Sequence, residues 1–230
     1  MQRALIAETG RGLDFFRSAV IEALGDKRTS YALDTIAAIA KVDGPLQDDA
    51  VVALGKIRDR RAVPTLNSIE KPGPDLTAAL HAAICLLGED CPGHIKALSE
   101  TIGRVREPVQ NVRAAAAALS TIAAGGSEAA TSALLAAASS NADDVVRQQL
   151  AVALATAALR NPDHVIAWSQ SLPTDRQGTA MMLIQDGFAR LENDYAEEQF
   201  FVAVRGAYWK AAEESSQRVL LATLIQKLDF

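Results

Sequence analysis

Aromatic residues are scarce in this chain of 230 residues: Phe, Tyr and Trp together make up 5% of it. Cysteine occurs twice, at Cys85 and Cys91, and histidine three times, at His81, His94 and His164. Two cysteines give no disulfide framework. Positive charge is not in excess; the formal net charge is −5 and the isoelectric point is near 5.3. Such a balance argues against general nucleic-acid binding, which favours a basic face. Long apolar runs are missing too. The longest mild one, Ala114 to Ala124, is well under the roughly 20 residues that a membrane span needs. The opening MQRALIAE has too short an apolar run for a secretory leader. These shortages lead us to expect a soluble, cytoplasmic protein without a membrane partner.

What the chain does hold is aliphatic: 49% of it is hydrophobic, almost all Ala, Leu, Val and Ile, which suits close helix packing. The stretch Leu46 to Glu70 shows how this material is used. Asp48 and Asp49 favour a helix start, because a carboxylate accepts the free backbone N–H groups of a first turn. Ala50, Val51, Leu54 and Ile57 then recur at helical spacing. Gly55 lets another backbone come close. Arg58, Asp59, Arg60 and Arg61 form a polar turn in which Asp59 can cap the next segment. Val63, Leu66 and Ile69 lie on one face of a second helix, with Pro64 in its first turn, where a missing N–H costs little. Lys71-Pro72-Gly73-Pro74 closes the hairpin.

The pattern recurs on both sides. Leu13–Leu24, with Phe15, Phe16, Val20, Ile21 and Leu24 apolar, pairs with Ser30–Lys41, and Val42-Asp43-Gly44-Pro45 ends that hairpin. A third unit has Leu76, Leu80, Ala83, Ile84 and Leu87 on its first helix and Ile95, Leu98, Ile102 and Val105 on its second. Leu-Gly doublets at 24–25, 54–55 and 87–88 are spaced by 30 and 33 residues, in the range of helical repeats. Pro108–Ser139 and Asp143–Leu172 make a fourth and a fifth unit. After Pro173, helices are expected to about Leu191, where Glu192-Asn193-Asp194 intervenes, then over about 195–212 and 215–228, the last carrying Leu228.

The segment AVVALGKIRDRRAVPTLNSI, residues 50–69, resembles a HEAT-like repeat of the phycobilisome-lyase type: an Ala/Leu-Gly helix, an Arg-Asp turn, then Ala-Val-Pro-x-Leu. The match is partial in the other units and reaches residues 173–230 only by analogy. The resemblance implies an all-α fold, a right-handed armadillo-like superhelix of about five helical hairpins with the second helices lining the concave side. It implies no reaction, because the repeat serves unrelated functions. We expect one domain over 1–230, with 1–28 as N-terminal cap and first helix, 29–172 as repeats and 173–230 as a C-terminal helical cap, since end repeats lack a neighbour.

Catalytic chemistry finds little support. HEAT-like deoxyhypusine hydroxylases carry repeated His-Glu doublets for two irons. Here His81, His94 and His164 are followed by Ala82, Ile95 and Val165. No metal site, no catalytic residue and no cofactor is expected, and purified protein should hold no stoichiometric iron or zinc. Cys85 falls on an apolar helix face and reads as a buried structural thiol. Cys91 lies in a polar turn near His94, which leaves a thiol nucleophile open but without a third, orienting group. Arg58, Arg60, Arg61, Arg104 and Arg106 are the densest basic spots. They read as a solvated turn and a helix C-terminus, where cations suit the dipole; phosphate binding is the competing reading. HEAT-like DNA glycosylases need a basic concave face, which is not found. Trp168 and Trp209 read as packing residues.

The reading that survives is a non-catalytic scaffold or adaptor that binds a protein partner through the concave face. The residues expected there are Tyr31, Asp34 and Thr35; Thr65 and Ser68; Lys96, Ser99 and Glu100; Thr131 and Ser132; Ser169 and Gln170. A plain solvated face is the competing reading. A bilin-lyase-like or other enzyme subunit and a DNA-binding HEAT-like repeat protein remain as alternatives.

Overall fold

The computed structural model describes residues 2–70, 72–104, 106–141, 143–191 and 194–227. Lys71 and Glu192-Asn193, expected at helix breaks, and Val105 and Leu228, expected on apolar faces, lie outside the described residues. Among the described residues there are fourteen α-helices, two 3-10 turns and no strand. The all-α fold built from helical hairpins is thus the fold of the chain. It packs as two compact units, Met1–Thr101 and Ile102–Phe230.

The first unit contains α1 (Gln2–Glu8), α2 (Asp14–Asp26), α3 (Leu33–Ala40), α4 (Gln47–Ile57), α5 (Val63–Asn67), α6 (Pro74–Leu86) and most of α7 (Cys91–Gly103). The first helices of successive hairpins, α2, α4 and α6, lie side by side. Glycine sets their spacing. A Cβ on Gly25 would stand 3.0 Å from the Ala53 Cα, and one on Gly55 only 2.4 Å from the Ala83 Cα. The third doublet glycine, Gly88, does something else: it sits in the α6–α7 turn at φ +85°. Arg28 and Arg58 both adopt left-handed backbone, at φ 49° and 60°, just after α2 and α4. The same turn therefore recurs at a thirty-residue offset. Asp59 caps the segment after α4, accepting the Arg61 backbone N–H at 3.0 Å. Lys56 of α4 reaches back to Asp26 (2.8 Å) and Glu22 (3.5 Å) of α2. The core is Ile21, Leu24, Ile36, Val51, Leu54 and Leu66, all buried.

Phe15 and Phe16 leave the stripe expected of them: Phe15 is 87% exposed, and only Val20, Ile21 and Leu24 are buried. Phe15 precedes Leu24 by nine positions, about two and a half helical turns, which puts it on the opposite side of the helix.

The second unit contains α8 (Val109–Ala124), α9 (Glu128–Ser140), α10 (Asp144–Arg160), α11 (Pro162–Ser171), α12 (Thr174–Leu191), α13 (Asp194–Lys210) and α14 (Ser216–Lys227). Here α10 lies between α8 and α12. Its alanine-rich surface admits Gly187 of α12 so closely that a Cβ there would meet the Ala151 carbonyl oxygen at 2.2 Å. The core holds Leu119, Ile122, Leu134, Leu154, Ile184 and the ring pair Phe188–Phe200, with centroids 5.1 Å apart. Asp143 caps α10 by accepting the N–H groups of Val145 and Val146, and Asn161 caps α11 through His164 N–H. Trp168 is buried as expected, whereas Trp209 is 65% exposed, beside the Arg218 guanidinium.

Candidate functional site

In the first unit, most residues expected on the binding face are accessible. Tyr31 is 73% exposed in the 3-10 turn Ser30–Ala32, and Asp34 is exposed one turn on. Thr35 and Thr65 are half-buried; Ser68 is exposed and donates its hydroxyl to the Thr65 carbonyl. Lys96 and Glu100 are exposed and pair with each other at 3.8 Å, and Ser99 is half-buried, bonded to the Ile95 carbonyl.

The second unit corrects part of the expectation. Thr131 and Ser169 are buried and present no surface to a partner. Each satisfies its hydroxyl inside the fold. Thr131 donates to the Ser127 carbonyl and lies 3.1 Å from His164 Nε2, while Ser169 donates to the Ile166 carbonyl. Ser132 is half-buried and accepts the Trp168 indole N–H at 2.9 Å. Gln170 is half-buried and accepts from Gln217. Within a helix, small hydroxyls also serve as packing groups, because an i−4 or i−3 carbonyl can satisfy them.

The first unit also holds a groove of about 670 Å³ between the end of α1, the start of α2, α3 and the loop before α4. That is within the range of ligand pockets, roughly 300–1,000 Å³. Thr35, Ala38, Ile39, Val42 and Leu46 line one side; Thr9, Asp14 and Arg17 line the other. Arg17 is held in place by donating to the Thr9 carbonyl (2.8 Å) and to Asp14 (2.9 Å). Val42 is 64% exposed at the groove, and Leu13 and Phe15, at 80% and 87%, flank Asp14 in sequence. Only Thr35 among the expected contact residues lines this groove. The sequence marked Val42-Asp43-Gly44-Pro45 merely as a helix stop; its signal was an exposed valine in a polar turn.

Three of the five arginines singled out in the sequence stand in ion pairs. Arg60 pairs with Glu89, Arg61 with Asp59 at 2.6 Å, and Arg104 with Glu107 at 3.9 Å. The Arg61 guanidinium holds the Asp59 carboxyl below its ordinary range.

The α6–α7 hairpin overturns the expectation of free thiols. Cys85 is buried but is no free thiol: it is joined to Cys91 by a disulfide. His81 and His94 also converge, with their Nδ1 atoms 2.7 Å apart, so one donates its N–H and the other accepts. Burial holds both imidazoles below their ordinary pKa; Asp90 opposes this at His94. The reason is geometric. The turn after α6 is tight enough to set the two helices face to face, and the His and Cys spacings fall on the facing sides. Among the described residues, no group of three His, Cys, Asp or Glu side chains is placed to hold a metal ion as the chain stands. The two sulfurs in this hairpin are bonded to each other.

No family model and no curated protein matches the chain. Among solved structures it is similar to the complex of CpcE and CpcF of phycocyanin lyase from Nostoc sp. PCC7120, at 21% identity and a TM-score of 0.47, over 99% of this chain and 94% of that one. Among the described residues, no helix is long and apolar enough to cross a membrane.

Proposed function

We propose that this chain is a non-catalytic scaffold that binds a protein partner, and that in the unit Met1–Thr101 the partner sits on the second-helix side, across Tyr31, Asp34, Thr35, Thr65, Ser68, Lys96, Ser99 and Glu100. The observation that carries the reading is the groove lined by Thr35, Ile39 and Val42, with Tyr31 on the same hairpin 73% exposed. Exposed apolar and aromatic side chains beside a concavity are what a partner's anchor residues use, since Tyr and Trp dominate binding hot spots. The engaged arginines and the net charge of −5 weigh against a nucleic-acid partner.

The test is direct. A partner is identified by capture from the source cell, purified, and its affinity measured by calorimetry against wild type, Val42→Asp and the double variant Tyr31→Ala, Lys96→Ala. Both variants should bind at least about tenfold more weakly, the scale of a hot-spot loss above 1 kcal/mol. Thermal stability should change by less than about 0.5 kcal/mol per site, as for other exposed positions. Unchanged affinity in both would remove the site from this face. Pigment bound on co-expression with a tetrapyrrole pathway would replace the scaffold reading by a lyase-like one.

A further inference from the structure

The α6–α7 hairpin carries four metal-ligating side chains in register, in the order His81-x3-Cys85-x5-Cys91-x2-His94. His81 and Cys85 are four apart on α6, and Cys91 and His94 three apart on α7; each spacing puts its pair on one helix face. The two faces meet. Cys85 is bonded to Cys91 next to the turn, and His81 touches His94 about one helical turn further out. Two thiols and two imidazoles from a single hairpin form the Cys2His2 donor set of structural zinc sites. The geometry points to a redox-gated zinc site: with the disulfide reduced, Cys85, Cys91, His81 and His94 bind one zinc ion, and the disulfide form is the metal-free, oxidised state of the same site.

The change needed at the two imidazoles is small. Tetrahedral zinc, with Zn–N near 2.0–2.1 Å and Zn–S near 2.3 Å, holds its nitrogens about 3.4 Å and its sulfurs about 3.8 Å apart. The Nδ1 atoms, now at 2.7 Å, would part by under about 1 Å to admit the ion between them. The sulfurs part once their bond is broken. A dithiol reductant supplies two electrons and two protons to the Cys85–Cys91 bond and leaves as its own disulfide. Zinc then displaces the two thiol protons, and two thiolates balance its charge. The imidazoles ligate as neutral rings, and the one that now donates moves its proton from Nδ1 to Nε2, which frees both Nδ1 atoms for the ion. Asp90 fixes the start of α7: its carboxylate accepts the Gly93 N–H and its carbonyl the His94 N–H. Cys91 and His94 are half-buried, so ion and reductant have access, while Cys85 is buried against the core. The expectation of a zinc-free chain then holds for the oxidised form alone.

The experiment titrates the full chain with Co²⁺ alone, after anaerobic reduction with a phosphine and removal of the reductant. Reduced protein should show thiolate-to-cobalt charge transfer and the strong visible bands of a tetrahedral ion, saturating at one ion per chain and displaced by zinc. Oxidised protein should show neither. His81→Gln and His94→Gln should each weaken binding by more than the roughly 10–100-fold that loss of an outer-shell contact costs, with helix content by circular dichroism unchanged. Cys91→Ser, at a half-buried position, should lower the charge-transfer intensity without disturbing buried Cys85. The proposal is overturned if reduced wild type gives no tetrahedral spectrum, if the oxidised chain binds equally well, or if both histidine variants bind as tightly as wild type.

Discussion

Single side chains set the packing distance of this protein. At Gly55 the approach of Ala83 leaves no room for a methyl group, because the atom in the way is backbone and cannot turn aside. Gly55→Ala should therefore lower stability by about 1–3 kcal/mol, the range for overpacking a tight contact, read as a fall in melting temperature with helix content retained. Gly25→Ala, whose new Cβ would meet Ala53 at 3.0 Å, should cost less. Asp49 makes a different point. Burial raises its pKa, with Asp48 and Glu22 adding to the effect and Ser18 and Lys56 opposing it. A carboxyl with a raised folded pKa binds its proton more tightly folded than unfolded, so its charged form weighs against folding at neutral pH. Asp49→Asn should accordingly melt higher than wild type at pH 7. The gap should close as the pH falls through the raised pKa toward 3.8, where wild type also becomes neutral. An unchanged gap across that window would mean that the carboxylate is well solvated.

At the level of the helix, the two members of the α4–α5 hairpin are different objects. The first has 11 residues, the second five. So short a helix is unstable alone; it is held by Leu66 in the core and by the Asp59 cap before it. Side-chain caps recur at α9, α10 and α11, and at α10 Asp143 accepts two N–H groups, at 2.8 and 3.3 Å. Asp143→Ala should cost about 1 kcal/mol, within the 0.5–2 kcal/mol of cap removals, and Asp143→Asn much less, since its side-chain oxygen still accepts. Chemical denaturation with an unchanged m-value would check both.

Across the molecule as a whole, electrostatics decides which partners suit it. The net charge is −5, and Arg60, Arg61 and Arg104 each have an acidic neighbour. A duplex would have to displace those carboxylates to gain phosphate contacts. We expect no salt-sensitive duplex binding in a filter or anisotropy titration at low salt, where counterion release would make it strongest. A steep salt-dependent affinity would reopen the DNA-binding reading.

From Leu13 onward the elements were legible in the order of the residues, whereas α1 was not. The 3.6-residue periodicity, the Asp and Asn caps and the Pro-Gly breaks place the helices, and Gly55 already spoke for a close backbone approach, because each of these signals acts within a few residues. Which side of a helix finds a neighbour was settled by packing alone. Phe15, apolar and helical, ends in solvent, while Thr131 and Ser169, polar and helical, end inside. The groove around Thr35 and Val42 joins segments more than thirty residues apart. The four side chains of the α6–α7 hairpin were legible as a spacing, but a spacing fixes only the face of each helix. Their meeting depends on how the turn at Gly88 sets one helix against the other, which the spacing within each helix does not fix.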